Sequence, residues 1–118
     1  MKTPDPDKLN AFLGKLVEDL GAATGAALVL LGDRLGIYKA MADGAAVTPE
    51  ELAEKTKLNA RYLREWLSAQ AAAGYVDYNS KSKKFKLNPE QACAFADEGG
   101  PAFFAGAFEV AQSMWLDE

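Results

Sequence analysis

Eight cations crowd one stretch of this sequence: Lys55, Lys57, Arg61, Arg64, Lys81, Lys83, Lys84 and Lys86, with only Glu65 and Asp77 among them. The stretch carries a net charge of +6 and the rest of the chain −10, which together give the −4 of the whole. Lysine and arginine clustered inside an acidic protein form an electrostatic footprint for a phosphate backbone. In that role Arg61 and Arg64 read base edges, while Lys81, Lys83 and Lys84 sit on phosphates. The same lysines also suit a solvated hairpin tip, where charge keeps a sheet edge from pairing with other chains. A second set is apolar and largely aromatic: Phe12, Phe103, Phe104, Phe108, Met114 and Trp115. Such residues line a pocket for a small apolar ligand, or they form core and dimer interface.

Most other chemistry is excluded. The 118 residues contain no histidine. A Ser-His-Asp triad, a Cys-His dyad and an imidazole metal ligand are therefore out of reach. One cysteine, Cys93, makes no internal disulfide and fits a reducing, cytoplasmic setting; in an alanine-rich segment it reads as a small buried residue. No GxGxxG and no GxxxxGK[ST] occurs, so no phosphate-cradling loop is present. The carboxylate pairs Glu50-Glu51 and Asp97-Glu98 lie at helix starts or in loops, where helix dipoles account for them. The catalytic, cofactor and metal sets are thus empty. A composition of 49% apolar and 25% charged residues is that of a single globular domain. The polar N-terminus has no apolar stretch of a signal peptide, and the uncharged run Gly21–Gly32 is too short to span a bilayer.

The elements that position these residues follow from spacing. Asp5-Pro6 supplies a cap and a first helical residue, and Leu9, Phe12, Leu13, Leu16, Val17 and Leu20 recur on one face of a helix over 5–20. A second helix over 22–43 carries Gly25, Gly32 and Gly36. Each interior glycine costs about 1 kcal/mol against alanine, so each needs a packing reason. Thr48-Pro49-Glu50-Glu51 is a capping box with proline at the first helical position. After the turn Lys57-Leu58-Asn59, a helix over Ala60–Ala73 buries Tyr62, Leu63, Trp66, Leu67 and Ala69–Ala71, and Gly74 stops it. Helix, tight turn and helix make a helix-turn-helix. Strands Tyr75–Tyr78 and Phe85–Leu87, joined by a polar loop without glycine, add a β-hairpin wing. Asn88-Pro89-Glu90-Gln91 caps a short helix to about Phe95, and Pro101 opens a last helix to 116. The fold class is mainly α: a winged helix-turn-helix over 45–88, flanked by N-terminal helices in 1–44 and C-terminal helices in 89–118. The flanking helices are too apolar to face water, so a second copy or another domain is expected to cover them.

The run Leu35-Gly36-Ile37-Tyr38-Lys39-Ala40-Met41-Ala42-Asp43-Gly44, then Val47-Thr48-Pro49-Glu50-Glu51-Leu52-Ala53, Asn59-Ala60-Arg61-Tyr62-Leu63-Arg64-Glu65-Trp66-Leu67 and Gly74-Tyr75-Val76, resembles a known family. It is similar to the N-terminal winged-helix domain of bacterial class I S-adenosylmethionine-dependent methyltransferases. The similarity extends through Ala105-Gly106-Ala107-Phe108 and Met114-Trp115. The resemblance implies a domain that dimerises the enzyme and forms a lid over the substrate pocket of a following Rossmann-like domain, without binding DNA. It gives Phe12, Phe103, Phe104, Phe108 and Trp115 a role as interface or pocket residues. S-adenosylmethionine is expected for a full-length relative and not for this segment, which is expected to be a fragment or a stand-alone descendant. A DNA-binding regulator using Arg61, Arg64, Lys81, Lys83 and Lys84 is the alternative, and a membrane role is not expected.

Overall fold

The computed structural model describes residues 2–116; in the last helix the side chains at 109, 111, 112 and 114–116 lie outside the description. Six helices and one hairpin follow one another. They are α1 (Pro6–Arg34), α2 (Ile37–Ala40), α3 (Pro49–Thr56), α4 (Ala60–Ala72), β1 (Asp77–Asn79), β2 (Lys84–Lys86), α5 (Pro89–Phe95) and α6 (Ala105–Leu116). The architecture is a winged helix with flanking helices, as the spacing predicts.

The capping signals act where the sequence puts them. Asp5 Oδ1 accepts from the backbone N–H groups of Asp7 and Lys8 at 2.9 and 3.1 Å. Thr48 and Glu51 cap each other's backbone, and Asn88 and Gln91 repeat the device at α5. Asn59 takes the N–H groups of Arg61 and Tyr62. Gly74 follows α4 with φ +82°, the left-handed conformation that glycine adopts without a Cβ clash.

Three boundaries differ from the sequence reading. The helices expected over 5–20 and 22–43 are one helix up to Arg34, because Gly21 alone does not break an otherwise alanine- and leucine-rich run. The chain turns only at Leu35-Gly36, where Gly36 has φ +72° and opens α2. The last helix starts at Ala105, not Pro101; Phe104 N–H bonds the Ala94 carbonyl at 2.8 Å, which holds residues 101–104 out of the helix. The wing strands pair Asp77 with Lys86, Tyr78 with Phe85 and Asn79 with Lys84, later on the first strand than expected. Asn79 fixes that register: its Oδ1 accepts from Lys81 and Ser82, and its carbonyl accepts from Lys83 at 2.7 Å. Lys83 takes φ +58°, filling the left-handed position a glycine would occupy in most such turns.

The core sits between α1's C-terminal end, α2, α3, α4 and the wing base. Val29, Ile37, Tyr38, Met41, Leu52, Leu63, Trp66, Leu67, Val76, Phe85, Leu87 and Phe95 form it. Tyr38 stacks on Phe95 at 4.6 Å between ring centroids and meets Trp66 edge-on at 5.1 Å. Its hydroxyl donates to Gln70 Oε1, and Gln70 is wholly buried. Gly32 has its packing reason here: a Cβ would overlap the Trp66 and Tyr38 rings. The Trp66 indole N–H then bonds the Leu28 carbonyl at 2.8 Å, tying α4 to α1. Val47 forms a one-residue bridge with Phe85 through two 2.8 Å backbone bonds, a third strand element that the sequence reading missed. Asp77 locks the wing base to α5 by accepting from Asn88 Nδ2 and Gln91 Nε2.

Candidate interface on the first helix

From Pro6 to Thr24 every residue of α1 is exposed, and burial begins in earnest only at Val29. At 1.5 Å per residue the 29-residue helix is about 44 Å long, so its N-terminal half stands clear of the core. That half carries the apolar row the sequence singled out. Leu9, Leu13, Leu16 and Leu20 recur at spacings of four, three and four residues, with Phe12 and Val17 beside them. All six are exposed, Phe12 at 58% and Leu20 at 70%. The 4-3-4 repeat is the pattern of a helix that packs lengthwise on another helix.

The glycines of α1 carry the same message. A Cβ at Gly14, Gly21 or Gly25 would meet nothing within 4 Å. Gly21 and Gly25 border an apolar groove with Leu20 and Leu28 on one wall and Ala69, Ala72, Ala73 and Tyr75 on the other. The packing reason these glycines need is thus not supplied by the described chain.

The other sequence-selected aromatics divide. Helix α6 packs against α1. Phe103 and Phe108 are half-buried against the core cluster, so they serve the fold first. Phe104 is 58% exposed, and its ring meets that of Phe108 edge-on at 5.8 Å. The side chains of Trp115 and Met114 lie outside the described residues. None of the predicted phenylalanines lines the α1–α4 groove.

The basic set also divides. Arg64 Nη2 lies 2.9 and 3.2 Å from the two carboxylate oxygens of Glu50. Lys55 pairs with Asp43, and Lys84 lies 3.6 Å from Glu51. The Thr48 N–H, helped by Lys84, holds the Glu51 carboxyl below its ordinary range; the Ala45 N–H and Lys55 do the same for Asp43. Among the described residues Arg61, Lys81 and Lys83 form no ion pair, and all three are exposed. Two side chains depart from the sequence reading. Tyr62, expected on the buried face of α4, is 73% exposed at the helix start, because the buried stripe runs through Leu63, Trp66, Leu67 and Gln70. Cys93, expected buried, is exposed, because α5 turns Phe95 inward instead. Among the described residues no cluster of His, Cys, Asp and Glu could hold a metal ion, and no helix is long and apolar enough to cross a membrane.

The family model of the Rv2258c-like winged HTH domain matches residues 23–96. Among solved structures, the mitomycin 7-O-methyltransferase MmcR superposes with a TM-score of 0.73 at 24% identity, over 86% of this chain and 30% of that one. CalO1, a methyltransferase of calicheamicin biosynthesis in its SAH-bound form, gives 0.66 at 25% identity, over 90% and 29%. Human N-acetylserotonin methyltransferase, in complex with SAM, gives 0.69 at 10% identity, over 95% and 32%. The chain therefore spans about a third of the length of these enzymes. A search of curated proteins by sequence found no match.

Proposed function

The chain belongs to the Rv2258c-like winged HTH domain family, and from that membership we propose that it is the dimerisation and substrate-lid domain of an S-adenosylmethionine-dependent O-methyltransferase. One observation carries the reading: the apolar row Leu9, Phe12, Leu13, Leu16, Val17 and Leu20 stands exposed on a helix whose glycines have empty space beside them. A helix of a second copy, laid along that face, would cover the row and use the close approach that Gly21, Gly25 and their neighbouring alanines permit. Burying such side chains is worth roughly 1.5 to 3 kcal/mol each. The reading assigns residues 1–44 to dimerisation, 45–88 to the winged helix and 89–118 to the connection toward a catalytic domain. Phe12 and Phe104, both exposed, belong to the contact between copies, and Phe103 and Phe108 to the wall facing an apolar substrate. Catalysis and S-adenosylmethionine binding belong to the domain that would follow.

The test is molar mass by light scattering at micromolar concentration. A species of about twice the 12.7 kDa chain is expected, and Leu16→Asp should return it to the chain mass with helical circular dichroism unchanged. Leu16 is the suitable site because, unlike Phe108, it is exposed and stands outside the core formed by the described residues. A wild-type chain that stays at 12.7 kDa across the concentration range overturns the dimer.

A further inference from the structure

We infer that the open edge of β1 is a docking site for an extended acidic peptide, which joins the wing as a further strand. The reason lies in where the hairpin's backbone bonds go. Phe85 directs both its N–H and its carbonyl to Val47, on the far side of β2. Tyr78 and Phe85 are therefore a non-hydrogen-bonded pair, and the N–H and carbonyl of Tyr78 point away from β2. No described residue bonds either group. Ser80, two residues on, is exposed, and its backbone has no partner among the described residues either. No proline stands between Tyr75 and Ser80 to close the edge.

The side chains around the edge select the occupant. Successive residues of a strand face opposite sides of the sheet. On the side of the Tyr78 ring a hollow is lined by Pro49, Ala71 and Phe85, together with Lys83 and the Arg64–Glu50 pair. Asp77, Lys81 and Lys86 line a second hollow instead. Both lysines are exposed and form no ion pair among the described residues. Asp77 is turned to α5, where Asn88 and Gln91 bond it. A strand of alternating apolar and acidic residues fits both hollows: its apolar residues lie opposite Tyr78, and its carboxylates lie against Lys81 and Lys86. The same lysines repel the wing of a second copy. A phosphate backbone matches less well, because a phosphodiester accepts hydrogen bonds but has no donor for the Tyr78 carbonyl. A peptide offers donor and acceptor at one residue.

The experiment uses the whole chain and a fluorescein-labelled octapeptide of alternating glutamate and valine. Anisotropy should show saturable binding, and hydrogen exchange of the Tyr78 amide, followed by NMR, should slow about tenfold at saturation. In this register the valine nitrogens face Tyr78. N-methylating them removes the donor to its carbonyl and should weaken binding about tenfold. N-methylating the glutamate nitrogens, which face away, should leave affinity within about twofold. Lys81→Glu with Lys86→Glu should also weaken binding about tenfold, with unchanged circular dichroism showing that the variant is folded. The methylated peptides test the edge on the unaltered chain. The inference is overturned by absent binding, by a Tyr78 amide that stays unprotected, by equal losses from the two methylated peptides, or by a lysine–valine peptide that binds as tightly. A 20-base-pair duplex that binds more tightly and displaces the peptide assigns the lysines to a phosphate backbone, and overturns it as well.

Discussion

The two halves of α1 are written in the same residues and meet opposite fates. Both are rich in alanine, glycine and leucine. Residues 6–24 are exposed throughout, whereas Val29, Leu30 and Gly32 are buried. The difference lies in what faces each half. The C-terminal half meets the Trp66 and Tyr38 rings across Gly32. The N-terminal half has its apolar row and its small residues but, among the described residues, no ring or helix fills the space beside Gly14 or Gly21. Composition therefore decides that a helix is sticky, and only the partner surface decides whether it belongs to the core.

The sharpest way to break this comparison is one substitution made in both halves. Leu30→Ala should cost 2 to 5 kcal/mol in urea unfolding, roughly the range for a buried leucine, since Leu30 is only 8% exposed. Leu16→Ala, in solution dilute enough to suppress association, should change stability by less than about 0.5 kcal/mol. A large loss at Leu16 would mean that the arm is part of the monomer's core after all.

Glycines give the next contrast. Gly32→Ala forces a Cβ into two aromatic rings and should destabilise by roughly 1 to 3 kcal/mol. Gly21→Ala meets open space and should stabilise the isolated helix by up to about 1 kcal/mol. On the dimer reading it should also weaken self-association, and the two effects separate in a concentration series of thermal melts.

Of the same size is the effect at the polar pair in the core. Tyr38→Phe leaves buried Gln70 without its hydroxyl partner, at a cost of about 1 to 3 kcal/mol. Adding Gln70→Leu should recover much of that. Burial raises the Tyr38 pKa above its ordinary value, with Tyr75 and Asp33 adding to the effect. The neutral phenol is favoured in the fold, so its contribution is intact below the unfolded pKa of about 10 and is lost as pH rises beyond it. Alkaline melts should show that loss in the wild type and less of it in Tyr38→Phe.

The least effect belongs to the α3 cap. Glu51 has a lowered pKa, so its contribution is present above the ordinary carboxyl range and fades as pH falls through the lowered value. Glu51→Gln keeps the capping geometry and should flatten only that acid limb.

What the sequence made legible was local. Thr48 with Glu51, Asn88 with Gln91, Asn59 and Gly74 each act within a few residues, so residue type and spacing suffice to place them. The apolar row of α1 was legible for the same reason. What escaped depended on distance or on fine rotation. Val47 pairs with Phe85 across the chain, and a single-residue bridge leaves no periodic trace. Tyr62 lies next to the buried Leu63, and a 100° step per residue is enough to turn it outward. The wing register hangs on Asn79 and on a lysine in a glycine's conformation, which residue preferences argue against. The pairing of Arg64 with Glu50 joins two helices and redistributes the basic face, and charge counting along the chain does not show it.

The bond from the Trp66 indole to the Leu28 carbonyl joins α4 to the C-terminal part of α1, and it makes that seam optically visible. Trp66 is one of two tryptophans. With Trp115→Phe, its emission becomes a single-site signal from the place where the projecting arm meets the body. An indole hydrogen-bonded and 4% exposed emits differently from one released to water. Stopped-flow fluorescence would therefore time the seating of α1 on α4 apart from any event along the arm, and titration with a second copy would report whether covering the arm tightens that seat.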